Sequence, residues 1–260
     1  MFRRLRIAFL LYVLLFVAAA QYFTASRVKG WDHALWVAVY PVNGDGKPAT
    51  QRYLDNLTGA EFNDLELFFT EQAKRYGLRL QRPVRVSVYS GYSQPPPALG
   101  PSPSAAEVLV WSLRMRWAGL RLTWHTPGPA ADVVVYAVFF DGAGNAALDR
   151  STALQKGMIA VANLFASRSA EGSNQVVLAH ELLHALGATD KYDPATDLPR
   201  FPDGFAAPKA KPLWPQSQAE LMAGRIPLGP HSAEIPESLR QAVIGPATAT
   251  EIGWLNPRSD

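Results

Sequence analysis

Within this chain, the string His180-Glu181-Leu182-Leu183-His184 sets two imidazoles four positions apart with a carboxylate between them. On a helix, residues four apart lie about 40° from each other around the axis, so both rings project from one face and can bind one ion. Glu181 stands about 100° from His180, close enough to reach a water on that ion without taking a coordination position. Leu178, Leu182, Leu183 and Leu186 fall on the remaining surface, which predicts a buried back to the same helix. Gly187 follows the last leucine, and a glycine there can turn left-handed at little steric cost. The chain then reverses, and Asp190 can swing back to offer a carboxylate oxygen at roughly 2.0–2.2 Å from a zinc ion. Asp193, Glu220 and His231 are alternative third ligands. Two histidines and one carboxylate leave a fourth position for water, whose pKa zinc lowers toward about 7, with Glu181 placed to take its proton.

Composition narrows the setting. The chain has 260 residues, 48% of them apolar and 18% charged, a globular balance. The absence of Cys excludes a disulfide framework, a Cys-based zinc finger, a thiol nucleophile and latency by a cysteine switch. Five of the 25 basic residues, Arg3, Arg4, Arg6, Arg27 and Lys29, precede residue 30, where no acidic residue lies, so 20 basic residues face 22 acidic ones beyond it. The net charge of +3 therefore belongs to the N-terminal flank and carries no argument for binding nucleic acid.

That flank reads as a membrane segment. After the basic start, Ile7 to Ala20 is an unbroken apolar run, and Tyr22 and Phe23 extend it past Gln21 ahead of Arg27 and Lys29. Such a run is a signal anchor or a cleaved signal peptide, and either places the remaining chain outside the cytoplasm, tethered or secreted. The expected organisation is residues 1–27 as anchor, with the membrane met through residues 7–23, and residues 28–260 as one domain.

The zinc helix needs a scaffold, and the preceding sequence supplies an α/β one. Strands are expected at Ala34–Tyr40, closed by Pro41, at Pro83–Tyr89, where Val84, Val86 and Val88 alternate, at Asp132–Phe140, and at Gly157–Phe165 as an edge. Helices are expected at Thr58–Leu78, with Phe62, Leu65, Leu67, Phe68 and Ala73 as the stripe, and at Ala105–Leu120. Strands alternating with long helices predict a sheet covered by helices. Trp111, Arg114, Arg116, Trp117, Arg121 and Trp124 interleave aromatics with arginines. A membrane-surface or peptide-contacting helix would read so. So would a helix that packs its aromatics inward and its arginines outward, which is the expectation here.

The pattern His180-Glu181-x-x-His184-x-x-Gly187-x-x-Asp190 resembles the metzincin zinc-binding motif in its aspartate variant, similar to the snapalysin family. The resemblance covers some twenty residues. It implies a twisted sheet ending in the zinc helix, zinc-dependent endopeptidase activity on a protein or peptide substrate, and a methionine in a tight turn beneath the metal. Met222, in Ala219–Gly224, is the matching candidate. Some members place a tyrosine two residues after that methionine, where this chain has Gly224. Tyr192 could instead meet a developing oxyanion, or be a packing tyrosine of its turn. The alternative function is a zinc-stabilised binding or scaffold module of the cell envelope, in which the metal only holds the fold.

Overall fold

The structure, a computed structural model, describes residues 30–91, 94–100, 102–128, 130–142, 151–154 and 158–255, with Arg6 and Tyr12. The expected membrane segment, residues 7–23, lies outside the described residues but for Tyr12. Among the described residues no helix is long and apolar enough to cross a membrane.

Nearly unbroken runs of branched and aromatic residues build the central strands, buried on both faces. Strands β1 (Leu35–Asn43), β2 (Val84–Val88), β3 (Val133–Phe140), β4 (Thr152–Leu154) and β5 (Ile159–Phe165) form one sheet in the order β2-β1-β3-β5-β4. The first four of these neighbours run parallel and β4 is antiparallel to β5, so the domain is mixed α/β around a mostly parallel sheet. Helices α1 (Pro48–Asp55), α2 (Asn63–Arg75), α3 (Ala105–His125) and α4 (Glu171–Leu186) accompany it.

Side chains alternate between two cores, as strand geometry requires. Val37, Val39, Val133, Val135 and Ala137 face one core with Leu65, Phe69, Leu178 and Leu182 of α2 and α4. Ala38, Tyr40, Val134, Tyr136 and Val138 face the other, where Met115, Trp111 and Leu122 of α3 pack. Beyond α4 the chain is mostly loop, with short strands β6 (Ala219–Glu220), β7 (Ile226–Gly229), β8 (Ser232–Glu234) and β9 (Ala242–Val243) and a last helix α5 (Pro246–Glu251).

Several expectations are corrected. β1 does not close at Pro41 but runs to Asn43, paired with β3 from Val37 onward. Val39 accepts from Tyr89 N on the β2 side while Trp36 accepts from Asp132 N on the β3 side, so Pro41 turns its nitrogen toward β2. β2 has ended at Val88 opposite Val39, and the missing N–H interrupts no ladder. The helix expected over Thr58–Leu78 is a 3-10 turn, Ala60–Phe62, followed by α2; Phe62, Leu65, Phe68 and Ala73 are buried, but Leu67 is exposed and Phe69 takes the inward position. The polar helix α1 has too few apolar residues to announce itself; Pro48 in its first turn was the available signal.

The edge is also reassigned. Gly157–Phe165 is not the edge strand, because β4 pairs with the first half of β5 and takes that place. Helix α3 starts as a capping box, Ser104 and Glu107 bonding each other's backbone N–H, and extends past Leu120 to His125. Its aromatics do not all turn inward: Trp111 is half-buried and bonds the Pro97 carbonyl, whereas Trp117 is 61% exposed and Trp124 70% exposed.

Candidate metal centre

Helix α4 owes its rigidity to the leucines on its back. Leu178, Leu182, Leu183 and Leu186 are each at most 3% exposed. Asn174 in its second turn bonds both the N–H and the C=O of Phe165, fastening the helix to the end of β5. Gly187 ends the helix at φ 108°, and the N–H groups of Gly187 and Ala188 satisfy the carbonyls of His184 and Leu183. A side chain at that φ would be strained, so the reversal requires glycine.

The reversal delivers Asp190 to the two histidines. Its Oδ1 lies 3.3 Å from His180 Nε2 and 3.0 Å from His184 Nε2, and the ligand atoms of the three residues all lie within 4.8 Å of one another. Asp190 is the solvent-facing member, its side chain 41% exposed against 16% and 23% for the histidines. The cluster therefore opens on one side.

The other ring nitrogens are committed. His180 Nδ1 lies 3.0 Å from the Leu221 carbonyl and His184 Nδ1 2.9 Å from the Ala188 carbonyl. A carbonyl only accepts, so each Nδ1 carries a proton and each ring turns its Nε2, a lone pair whenever the ring is neutral, toward Asp190. Three lone-pair atoms facing one another repel unless a cation, proton or metal, lies among them. Donors at 2.0–2.2 Å from a tetrahedral ion stand roughly 3.3 Å apart, which matches the Asp190 separations. Zinc suits two imidazoles and a carboxylate, so the donor set fits the ion.

The charges respond in the same sense. Burial pushes the His184 imidazole down, but the Asp190 hydrogen bond, the Glu181 charge and the Ala188 carbonyl together raise it above its ordinary value. Burial pushes the Asp190 carboxyl up, and the two histidines overcome this and hold it well below the usual carboxylate range. Glu181 is pushed up mainly by burial, with Asp190 adding to it and the two histidines opposing. It is 5% exposed, and its Oε2 has no hydrogen-bond partner among the described residues. An unpaired buried carboxylate oxygen beside three converging donors is where a water or substrate proton would be received.

The alternative ligands lie elsewhere. Glu220 is fully buried and accepts from Met222 N, Ala223 N, Gly245 N and Thr248 Oγ1, which commits it to bracing a turn. Asp193 caps its own loop through Ala195 N, and His231 is an exposed residue of the β7–β8 turn. The turn Glu220 braces holds Met222, fully buried, whose carbonyl accepts from Lys191 N, and Leu221, whose carbonyl accepts from His180. Tyr192, half-buried, forms an isolated bridge with Pro199 two residues beyond Asp190.

One positioning residue escapes sequence reasoning. Glu251 at the end of α5 accepts from Thr189 N, Thr189 Oγ1 and Lys191 Nζ, gripping the loop on both sides of Asp190. Lys191 is itself 7% exposed, and its ammonium also donates to the Thr189 carbonyl. Nothing in the local sequence of Glu251 marks it, because its partners lie some sixty residues away. Gly204 closes the same region from below; a Cβ there would collide with the Lys191 carbonyl and the Arg200 backbone.

No family model matches the chain, and no curated protein matches it.

Proposed function

We propose that this chain is a zinc-dependent endopeptidase with a metzincin-like catalytic domain, carried outside the cytoplasm by its N-terminal apolar segment. The observation that carries the reading is the convergence of His180 Nε2, His184 Nε2 and Asp190 Oδ1 next to the unpartnered, buried Oε2 of Glu181. His180, His184 and Asp190 would hold the ion, with the Leu221 and Ala188 carbonyls fixing the two rings. A zinc ion so held supplies Lewis-acid polarisation of a scissile carbonyl and an acidified water.

The chain's own part is proton handling and exclusion of bulk water. Glu181 Oε2 takes a proton from the attacking water and returns it to the departing amine nitrogen, so one carboxylate serves as base and then acid. Its burial suits this double use, since a desolvated carboxylate holds a proton more readily than an exposed one. The open side at Asp190 admits the peptide. β5 offers this peptide no free edge, because β4 pairs with its first half, Ser151 Oγ accepts from Asn163 N, and Asn174 takes the N–H and C=O of Phe165.

Cleavage of a diverse peptide library by the zinc-loaded full chain, read by mass spectrometry beside Glu181→Gln, tests the reading. Cuts that fall by two to four orders of magnitude in a variant that still binds zinc are expected, the usual weight of a positioned general base. Zinc bound without cuts from either protein would leave a metal-held binding module instead.

A further inference from the structure

Helix α3 covers one face of the sheet and leaves its own outer face bare. At 100° per residue, Trp111, Leu122, Met115 and Gly119 point to the sheet, and Met115 is 1% exposed. Leu109, Leu120, Leu113, Trp124 and Trp117 fall within about 80° of arc on the opposite side. All five are exposed, and the two tryptophan rings touch edge to face at 6.4 Å. Arg116 lies about 20° beyond one margin of this stripe, and Arg121 and Arg114 about 40–60° beyond the other. No acidic residue occurs between Glu107 and Asp132. An apolar stripe with tryptophans, bordered on both sides by arginines, has the distribution of a helix lying in the plane of a bilayer surface.

We propose that this face of α3 docks on an anionic lipid surface, with Leu109, Leu113, Trp117 and Trp124 in the acyl boundary and Arg114 and Arg116 at the headgroups. Charge selects this occupant over two others. The chain's own apolar run is preceded by Arg3, Arg4 and Arg6 and has no acid to offer the helix arginines. A second copy related by a twofold axis would bring the same arginines together. Anionic headgroups complement them, at an attraction that multiplies binding roughly fivefold per arginine. The docking also rests on the reading of residues 7–23 as a membrane segment. The six residues between Phe23 and Gly30 reach about 20 Å even fully extended, which keeps the domain at the bilayer.

The absence of Cys allows a direct test, because Trp117→Cys in the full chain takes a polarity-sensitive dye at that position alone. Glu71→Cys, exposed on α2 across the sheet, is the control. Both are reconstituted in phosphatidylcholine vesicles with and without phosphatidylglycerol, and flotation is measured beside quenching by brominated lipid. The expected result is quenching at position 117 on anionic vesicles only, none at position 71, and a docked fraction whose ratio to undocked falls roughly fivefold for each of Arg114→Gln and Arg116→Gln. Flotation without quenching at 117 overturns the docking while sparing the membrane segment, and failure to float overturns both. A dye that reports an apolar site yet resists brominated lipid means that protein covers the face. Its own N-terminal segment is then the cover if the signal ignores protein density, a second copy if it does not, and either overturns the proposal. Equal quenching on neutral and anionic vesicles overturns the headgroup assignment.

Discussion

Helices α3 and α4 flank opposite faces of one sheet and both carry polar groups at helical spacing, yet their environments differ. Around α4, most polar atoms are claimed: both Nδ1 atoms by carbonyls, the following loop by Glu251, the turn beneath by Glu220, with Glu181 Oε2 and, farther up the helix, Gln175 Oε1 left unpartnered among the described residues. Around α3, one face is packed and the other presents tryptophan and leucine to the outside. The lesson is that helical period tells which residues share a face but not what that face meets. A long loop region after α4 wraps its site, whereas α3 has no second layer among the described residues.

The comparison predicts large effects at α4 and small ones at α3. His184→Ala removes a donor and the Ala188 contact together; zinc retention measured by metal analysis after dialysis should be lost, and retention at the wild-type level would break the assignment of the cluster. Glu251→Gln leaves the donors in place but frees the loop around Asp190, so zinc affinity by competition with a chelator should weaken roughly 10–100-fold, the range for outer-shell partners.

The same residue has a pH signature. Burial pushes the Glu251 carboxyl up, but Lys191 and Thr189 prevail and hold it below its ordinary value. A depressed carboxylate contributes stability that is complete above the unfolded pKa, about 4.3, and lost as pH falls through the folded one. The Tm gap between wild type and Glu251→Gln should therefore be widest above pH 5 and close in more acidic buffer. A gap constant with pH would mean that the carboxylate's charge is not what holds the loop.

Gly187→Ala forces a side chain into the left-handed region and should cost about 1–2 kcal/mol in denaturant unfolding. At the other end of the scale, Trp117→Ser should change stability by no more than about 0.5 kcal/mol and leave zinc binding intact. A large loss there would show that the outer face of α3 is part of the fold.

The α4 motif was legible because its spacing is local: four residues set the two imidazoles, three more reach Gly187, and Asp190 follows within one turn's reach. β2 was legible for the same reason, since its alternation is written residue by residue, and β3 was legible as an unbroken apolar run of strand length. The role of Pro41 was not, because it depends on where β2 stops, and neither was β4, whose three residues carry no period.

What the sequence by itself determined is the donor set and its helical face, the turn after it, and the alternation that makes a mixed α/β sheet. Tertiary structure alone decided that Glu220 braces a turn instead of binding an ion, that Glu251 grips the loop of Asp190, and that the Leu221 carbonyl orients the His180 ring. It also decided that Trp117 and Trp124 face outward. These outcomes rest on contacts between segments distant in sequence, often through backbone atoms that every residue shares, so no residue type could have announced them.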